Sequence, residues 1–171
     1  MKGYVHLYTG DGKGKTTAAM GQAIRAAGAG KKVFIAQFAK GQPFSEARLI
    51  KQLLPAITIK QYGLECFIIN SPTEKDKEVA RQGLNELLEI IRSDVFDLII
   101  LDEANIAIFY NLYTTQELIG VLQQKPESTE IVITGRYATQ EMIDFSDLVT
   151  EMVEVKHYYQ KGVMARKGIE Y

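Results

Sequence analysis

The chain of 171 residues has one cysteine, Cys66, and two histidines, His6 and His157. A single thiol excludes an internal disulfide and a cysteine-based zinc site and suits a reducing compartment, and two imidazoles make no metal cluster alone. Long hydrophobic runs are missing too: runs such as 98–101 and 131–133 are only strand-length, and no charged-then-apolar leader opens the sequence. Neither a membrane span nor a secretory signal is expected, and the reading is cytoplasmic. Charge of one sign is also absent, with 20 basic against 21 acidic residues. No overall field would draw nucleic acid or an anionic membrane, so any phosphate recognition has to be local. What is present, 46% apolar and 24% charged residues, is ordinary globular composition, and the length fits one domain, 1–171, with a core that needs no staple.

Short β-rich runs alternate with helical patterns, the mark of stacked βαβ units and a mostly parallel sheet flanked by helices. Strands are expected at 4–8, 33–38, 57–62, 97–101, 130–134 and 148–155. The run Asp97-Leu98-Ile99-Ile100-Leu101 shows no alternation, which predicts a central strand buried on both faces. Helices are expected at 15–29, 45–54, from Thr73 as N-cap, 104–110, 115–123 and 140–145. In the second of these Leu49, Ile50, Leu53 and Leu54 share one face. The tail, 156–171, mixes cationic and aromatic groups with two glycines and has the least regular pattern; it is placed to wrap a site.

The motif that carries chemistry is Gly10-Asp11-Gly12-Lys13-Gly14-Lys15-Thr16 between the first strand and the first helix. In that setting consecutive N–H groups and a helix N-terminus converge on phosphate. The glycines allow close backbone approach, Lys15 bridges phosphate oxygens, and the Thr16 hydroxyl is a ligand for Mg²⁺, or Mn²⁺ in its place. Lys13 is a second candidate cation, or else a solvent-facing lysine. The usual spacing of such loops puts a glycine at position 9, where this chain has Thr9, so the loop must close differently. The alternative is an ordinary glycine-rich turn.

Asp102 and Glu103 follow the buried strand and reach the C-terminal sheet edge, where open α/β folds bind ligands; they resemble a Walker B pair that holds the metal. Alone, the pair equally fits an acidic N-terminus of the next helix. Arg136, after the strand 130–134 and Gly135, reaches the same edge as a phosphate clamp or as a solvated loop arginine. Cys66 and His6 have no partners spaced for a catalytic dyad.

Taken with Gln37-Phe38-Ala39-Lys40-Gly41, Leu101-Asp102-Glu103, Ile133-Thr134-Gly135-Arg136, Glu154-Val155-Lys156-His157 and Lys167-Gly168-Ile169-Glu170-Tyr171, the loop makes nearly the whole chain resemble the corrinoid adenosyltransferases. That family shares the shortened glycine arrangement. The resemblance implies a RecA-like P-loop NTPase fold and ATP with Mg²⁺. It implies attack of Co(I) of a reduced corrinoid on the 5′ carbon of ATP, with release of triphosphate. Gly10 to Thr16 would cradle the triphosphate, Thr17 would add a phosphate contact, Thr16 and Glu103 would serve the metal with Asp102 beside them, and Arg136 would line the site. A homodimer and a reductase that supplies Co(I) are further implications. Other members carry a segment before the first strand that covers the corrinoid, whereas here few residues precede Tyr4. They also carry phenylalanine and tryptophan after the glycine corresponding to Gly63; this chain has Leu64-Glu65-Cys66-Phe67 and no tryptophan, with Phe67 and Tyr62 as the nearby aromatics. The alternative function is a P-loop ATPase or a nucleotide-binding regulator without corrinoid transfer.

Overall fold

The computed structural model describes residues 2–39, 45–64 and 71–170. Six strands, β1 (Val5–Thr9), β2 (Val33–Phe38), β3 (Ile57–Tyr62), β4 (Leu98–Asp102), β5 (Glu130–Thr134) and β6 (Leu148–Glu151), form one sheet in the order β3-β2-β4-β5-β1-β6. Every pairing is parallel. The helices are α1 (Lys15–Gly28), α2 (Ser45–Leu53), α3 (Glu74–Arg92), α4 (Ala104–Phe109), α5 (Thr115–Leu122) and α6 (Gln140–Phe145). This is the expected α/β architecture, with β5 inserted between the loop-bearing β1 and the acidic β4.

Position in the sheet explains the strand sequences. β2 and β4 lie inside the sheet and are buried along their whole length, whereas edge strand β3 alternates and edge strand β6 is exposed throughout. Alternate residues of the inner strands feed two cores. Phe34, Ala36, Ile99 and Leu101 pack with α3 to α6, and Val33, Ile35, Leu98 and Ile100 pack with α1 and α2. On α1 the inward residues are Ala19, Met20, Ala23 and Ala26, three of them alanines that let the helix lie close on β4 and β5. α3 begins as expected at Thr73, whose side chain forms a capping box with Asp76.

Two expectations need correction. On α2 the buried residues are Ala47 and Ile50, while Leu49 and Leu53 are exposed at 49% and 65%, because the narrow contact with the sheet admits only one stripe of the apolar face. β6 ends at Glu151 instead of reaching 155. There the chain leaves the sheet: the Met152 N–H donates to the Thr9 carbonyl at 2.8 Å, and the Met152 carbonyl accepts from Gly12 N–H at 2.6 Å. The strand is drawn over the loop between β1 and α1.

Candidate active site

The loop after β1 takes its shape from that crossing. A Cβ on Gly10 would stand 2.5 Å from the Met152 carbonyl oxygen, and one on Gly12 would stand 2.7 Å from it. These glycines are required by another chain segment as well as by any phosphate. Gly14 differs: φ is 121°, and the nearest atom to a Cβ there would be Met152 Sδ at 3.5 Å, so its requirement is conformational. It delivers the chain into α1, whose N-terminus has no side-chain cap and no acidic residue in its first turn. Such an end favours an anion.

The Lys15 ammonium folds back over this loop and donates to the carbonyls of Gly10 at 2.6 Å and Gly12 at 2.7 Å. Burial, and next the Arg136 guanidinium, hold it below the ordinary lysine range, against the opposing pull of Glu103 and Asp11. Arg136 is fixed from the other side of the site by donation to the Asp11 carbonyl at 3.0 Å, with its Nε 3.8 Å from the Asp11 carboxylate.

Beneath the loop lies a buried polar chain. Asp102 is fully buried; its Oδ1 accepts from the hydroxyls of Thr16 and Thr134, each at 2.8 Å, and its Oδ2 accepts from the Gln37 amide at 3.0 Å. The Gln37 oxygen in turn accepts from Gln61 at 3.1 Å. The Thr16 proton points to Asp102, which turns the hydroxyl's lone pairs away from that carboxylate. The two neighbouring acids therefore part company, Asp102 underneath Thr16 and Glu103 in the cavity wall. Glu103 is in the left-handed region at φ 59°, its side chain does not cap α4, and its N–H donates to Thr134 Oγ1 at 3.0 Å. Glu103 thus stands at the N-terminus of α4, as the acidic-N-terminus alternative has it, without a side-chain capping bond.

The cavity holds ≈ 480 Å³ and is lined by 12–17 of the loop, by Glu103, Ile106 and Tyr110, by Arg136 and Tyr137, and by His157 and Glu170 of the tail. Its size suits one small-molecule ligand. Three residues other than glycine with positive φ, Ala39 at 53°, Glu103 at 59° and Tyr137 at 61°, stand in its wall. Such conformations cost about 1–3 kcal/mol each and collect at ligand sites.

Lys13 is engaged by the tail. Its ammonium donates to the Ile169 carbonyl at 2.6 Å and lies 3.8 Å from Glu170. The Tyr158 hydroxyl, then the Arg166 N–H and guanidinium, hold the Glu170 carboxyl down at about 2. The tail thus wraps the site as expected, and His157 and Glu170 join the cavity lining. Gly10, Asp11 and Asp102 are not among the residues that line the cavity. Tyr62 offers no ring face to a ligand: it is 6% exposed, is stacked on Phe38 at 5.5 Å, and would meet a Cβ on Gly83 at 2.5 Å. Lys40, Gly41, Cys66, Phe67 and Tyr171 lie outside the described residues.

Sequence reasoning missed Gln37, Thr134, Tyr110 and Tyr137 as parts of the site. Gln37 carried a signal, as the lone polar side chain in the otherwise apolar run Val33–Phe38. Tyr110 and Tyr137 carried none beyond following Glu103 and Arg136 in the chain.

The model of the family described as ATP:corrinoid adenosyltransferase BtuR/CobO/CobP matches residues 1–171. The chain belongs to the ATP:corrinoid adenosyltransferase family. It is 33% identical over 171 residues to a corrinoid adenosyltransferase of Escherichia coli K12, covering 99% of this chain and 86% of that one. The match to corrinoid adenosyltransferase CobA of Salmonella typhimurium LT2 has the same identity and coverage. A corrinoid adenosyltransferase of Pseudomonas aeruginosa is 30% identical over 99% of this chain and 84% of its own. Among the described residues no helix is long and apolar enough to cross a membrane.

Proposed function

We propose that the enzyme binds ATP with its triphosphate in the loop 10–16 and transfers the 5′-deoxyadenosyl group to the Co(I) of a reduced corrinoid. The observation that carries this reading is the Lys15 ammonium parked on two loop carbonyls, in a cavity walled by Glu103 and Arg136. Triphosphate oxygens are stronger acceptors than those carbonyls, so ATP draws the ammonium off the loop.

Co(I) attacks C5′ with its own electron pair, the C5′–O5′ bond breaks, and the pair leaves with the triphosphate as cobalt becomes Co(III)-alkyl. The nucleophile needs no general base. The protein's task is to bind, orient and stabilise the leaving charge, which Lys15, Arg136 and the N-terminus of α1 do as fixed positive groups. Thr16 and Glu103 present hard oxygen donors that fit Mg²⁺, with Asp102 holding the Thr16 proton away from it. Bound there, the cation neutralises phosphate charge. The homodimer, the reductase that supplies Co(I) and a cytoplasmic setting belong to the same proposal.

The test combines purified protein, ATP, Mg²⁺ and chemically reduced cobalamin. The Co(I) spectrum should convert to that of a light-sensitive alkylated product, with one intact triphosphate per corrinoid in the phosphorus NMR spectrum. Inorganic phosphate in excess, formed equally without corrinoid, would return the chain to the ATPase reading.

A further inference from the structure

Two half-exposed aromatic rings lie against each other at the mouth of the cavity. Phe109 and Tyr137 are 51% and 52% exposed, with ring centroids 4.3 Å apart and planes inclined by 31°. Tyr110 meets Phe109 edge-on, at 5.4 Å and 73°. Stacked aromatics normally turn their faces into a core; here the pair keeps half its surface in water.

Their placement ties them to the site. Phe109 ends α4, the helix that begins beside Glu103, and Tyr137 follows Arg136 in the chain. One short helix and one turn therefore set the metal-facing acid, the phosphate-facing cation and both rings. Tyr137 holds φ at 61°, a conformation a bulky residue rarely adopts, so its ring is presented at the expense of the local backbone. Tyr110 and Tyr137 line the cavity, but Phe109 lies outside its lining. The aromatic surface thus starts in the cavity and continues onto the exterior.

Resting on the adenosyltransferase reading, we infer that Phe109 and Tyr137 form the platform that receives the corrinoid, by contact with the apolar face of its macrocycle. A cavity of ≈ 480 Å³ accommodates one nucleotide, and a macrocycle larger than that nucleotide has to meet the protein at the mouth. An adenine ring inside the cavity would leave Phe109 unused, whereas a broad flat partner at the mouth covers both rings. Because the rings already hold each other, little freedom is lost when the partner lands.

The experiment uses the full chain as wild type, Phe109→Ala, Tyr137→Gly and Tyr137→Phe. Glycine suits φ 61°, so Tyr137→Gly removes the ring without straining the turn. Equilibrium dialysis with hydroxocobalamin and calorimetry with ATP give the two affinities separately, and transfer assays give KM for each substrate. Loss of either ring should weaken cobalamin binding, and raise its KM, by tenfold or more, with ATP affinity changed less than twofold; Tyr137→Phe should behave as wild type. Weakened ATP binding would assign the rings to adenine and overturn the inference. Unchanged affinities would overturn it too, as would a dimer that dissociates in both variants while cobalamin binding stays intact. Wild-type transfer with unaffected variants defeats this inference and leaves the proposed function standing. Wild-type protein that neither binds cobalamin nor transfers defeats both.

Discussion

Gly12→Ala isolates the contact between the loop 10–16 and the crossing segment after β6. Gly12 is not at positive φ, so alanine is harmless to the local backbone. The harm is steric: the new Cβ would lie 2.7 Å from the Met152 carbonyl oxygen and 2.9 Å from the carbonyl carbons of Met152 and Val153. These are backbone atoms and cannot rotate aside. Overpacking of this kind costs about 1–3 kcal/mol. Separation also breaks the Gly12 N–H bond to Met152, 2.6 Å long and worth about 1 kcal/mol net. β6 ends at Glu151, so the chain beyond it lifts before the sheet deforms, which limits the total to about 2–4 kcal/mol. For a chain of this size, about 3 kcal/mol lowers Tm by about 6–12 °C. Differential scanning calorimetry measures that loss, and limited trypsin digestion should show faster cutting at Lys156, Lys161, Arg166 and Lys167 as the tail loosens. ATP affinity should fall as well, since the loop loses its support. A Tm within about 2 °C of wild type, with unchanged tail protection, would refute the reasoning.

Lys15→Ala should fold normally and lose productive ATP use by at least about a hundredfold, read as kcat/KM, because a charge aimed at the leaving triphosphate disappears. In the wild type, burial keeps the Lys15 pKa below its unfolded value, and a bound triphosphate should raise it. ATP binding should therefore take up a proton in the alkaline range below the ordinary lysine value, and affinity should fall as pH rises through that range; calorimetry in two buffers of different ionisation enthalpy reads the proton, and Lys15→Ala should abolish it. Glu103→Gln should raise the Mg²⁺ concentration needed for half-maximal activity about tenfold with little change in Tm, since an ionised cavity-wall oxygen becomes neutral and nothing is uncapped; an unchanged metal titration would refute that role. Asp102→Asn sets an amide against the Gln37 amide and weakens two charge-assisted hydroxyl bonds, so it should cost about 1–3 kcal/mol in urea denaturation, more than Glu103→Gln does.

Much of the fold was legible because its signals are local. The unbroken apolar run 98–101 can be satisfied only by burial on both faces, and the structure places it inside the sheet. Thr73 with Asp76 specifies a helix start within four residues, and the two make the capping box. α2 was misjudged because the apolar stripe of Leu49, Ile50, Leu53 and Leu54 is wider than the strip of sheet available to it, a quantity no local pattern contains. β6 was read too long for a related reason: 152–155 has strand composition, but the hydrogen bond from Gly12 takes the Met152 carbonyl out of the sheet.

The candidate site divides the same way. Order along the chain suffices to mark Gly10 to Thr17, Asp102, Glu103 and Arg136, since strand–loop–helix succession in a parallel sheet delivers every strand's C-terminal end to one edge. Sequence alone also carried the family, because the loop, the paired acids and the closing segment occur together. Tertiary structure decided the division of labour between neighbours that look alike. Asp102 faces down into Thr16, Thr134 and Gln37 while Glu103, one residue on, enters a left-handed turn and faces the cavity. It also decided that Lys13 serves the tail while Lys15 folds over the carbonyls of Gly10 and Gly12, and that two rings 28 positions apart in the chain, Phe109 and Tyr137, make one surface. Direction and contact depend on where the chain crosses itself, and a linear pattern records only which residues are available to meet.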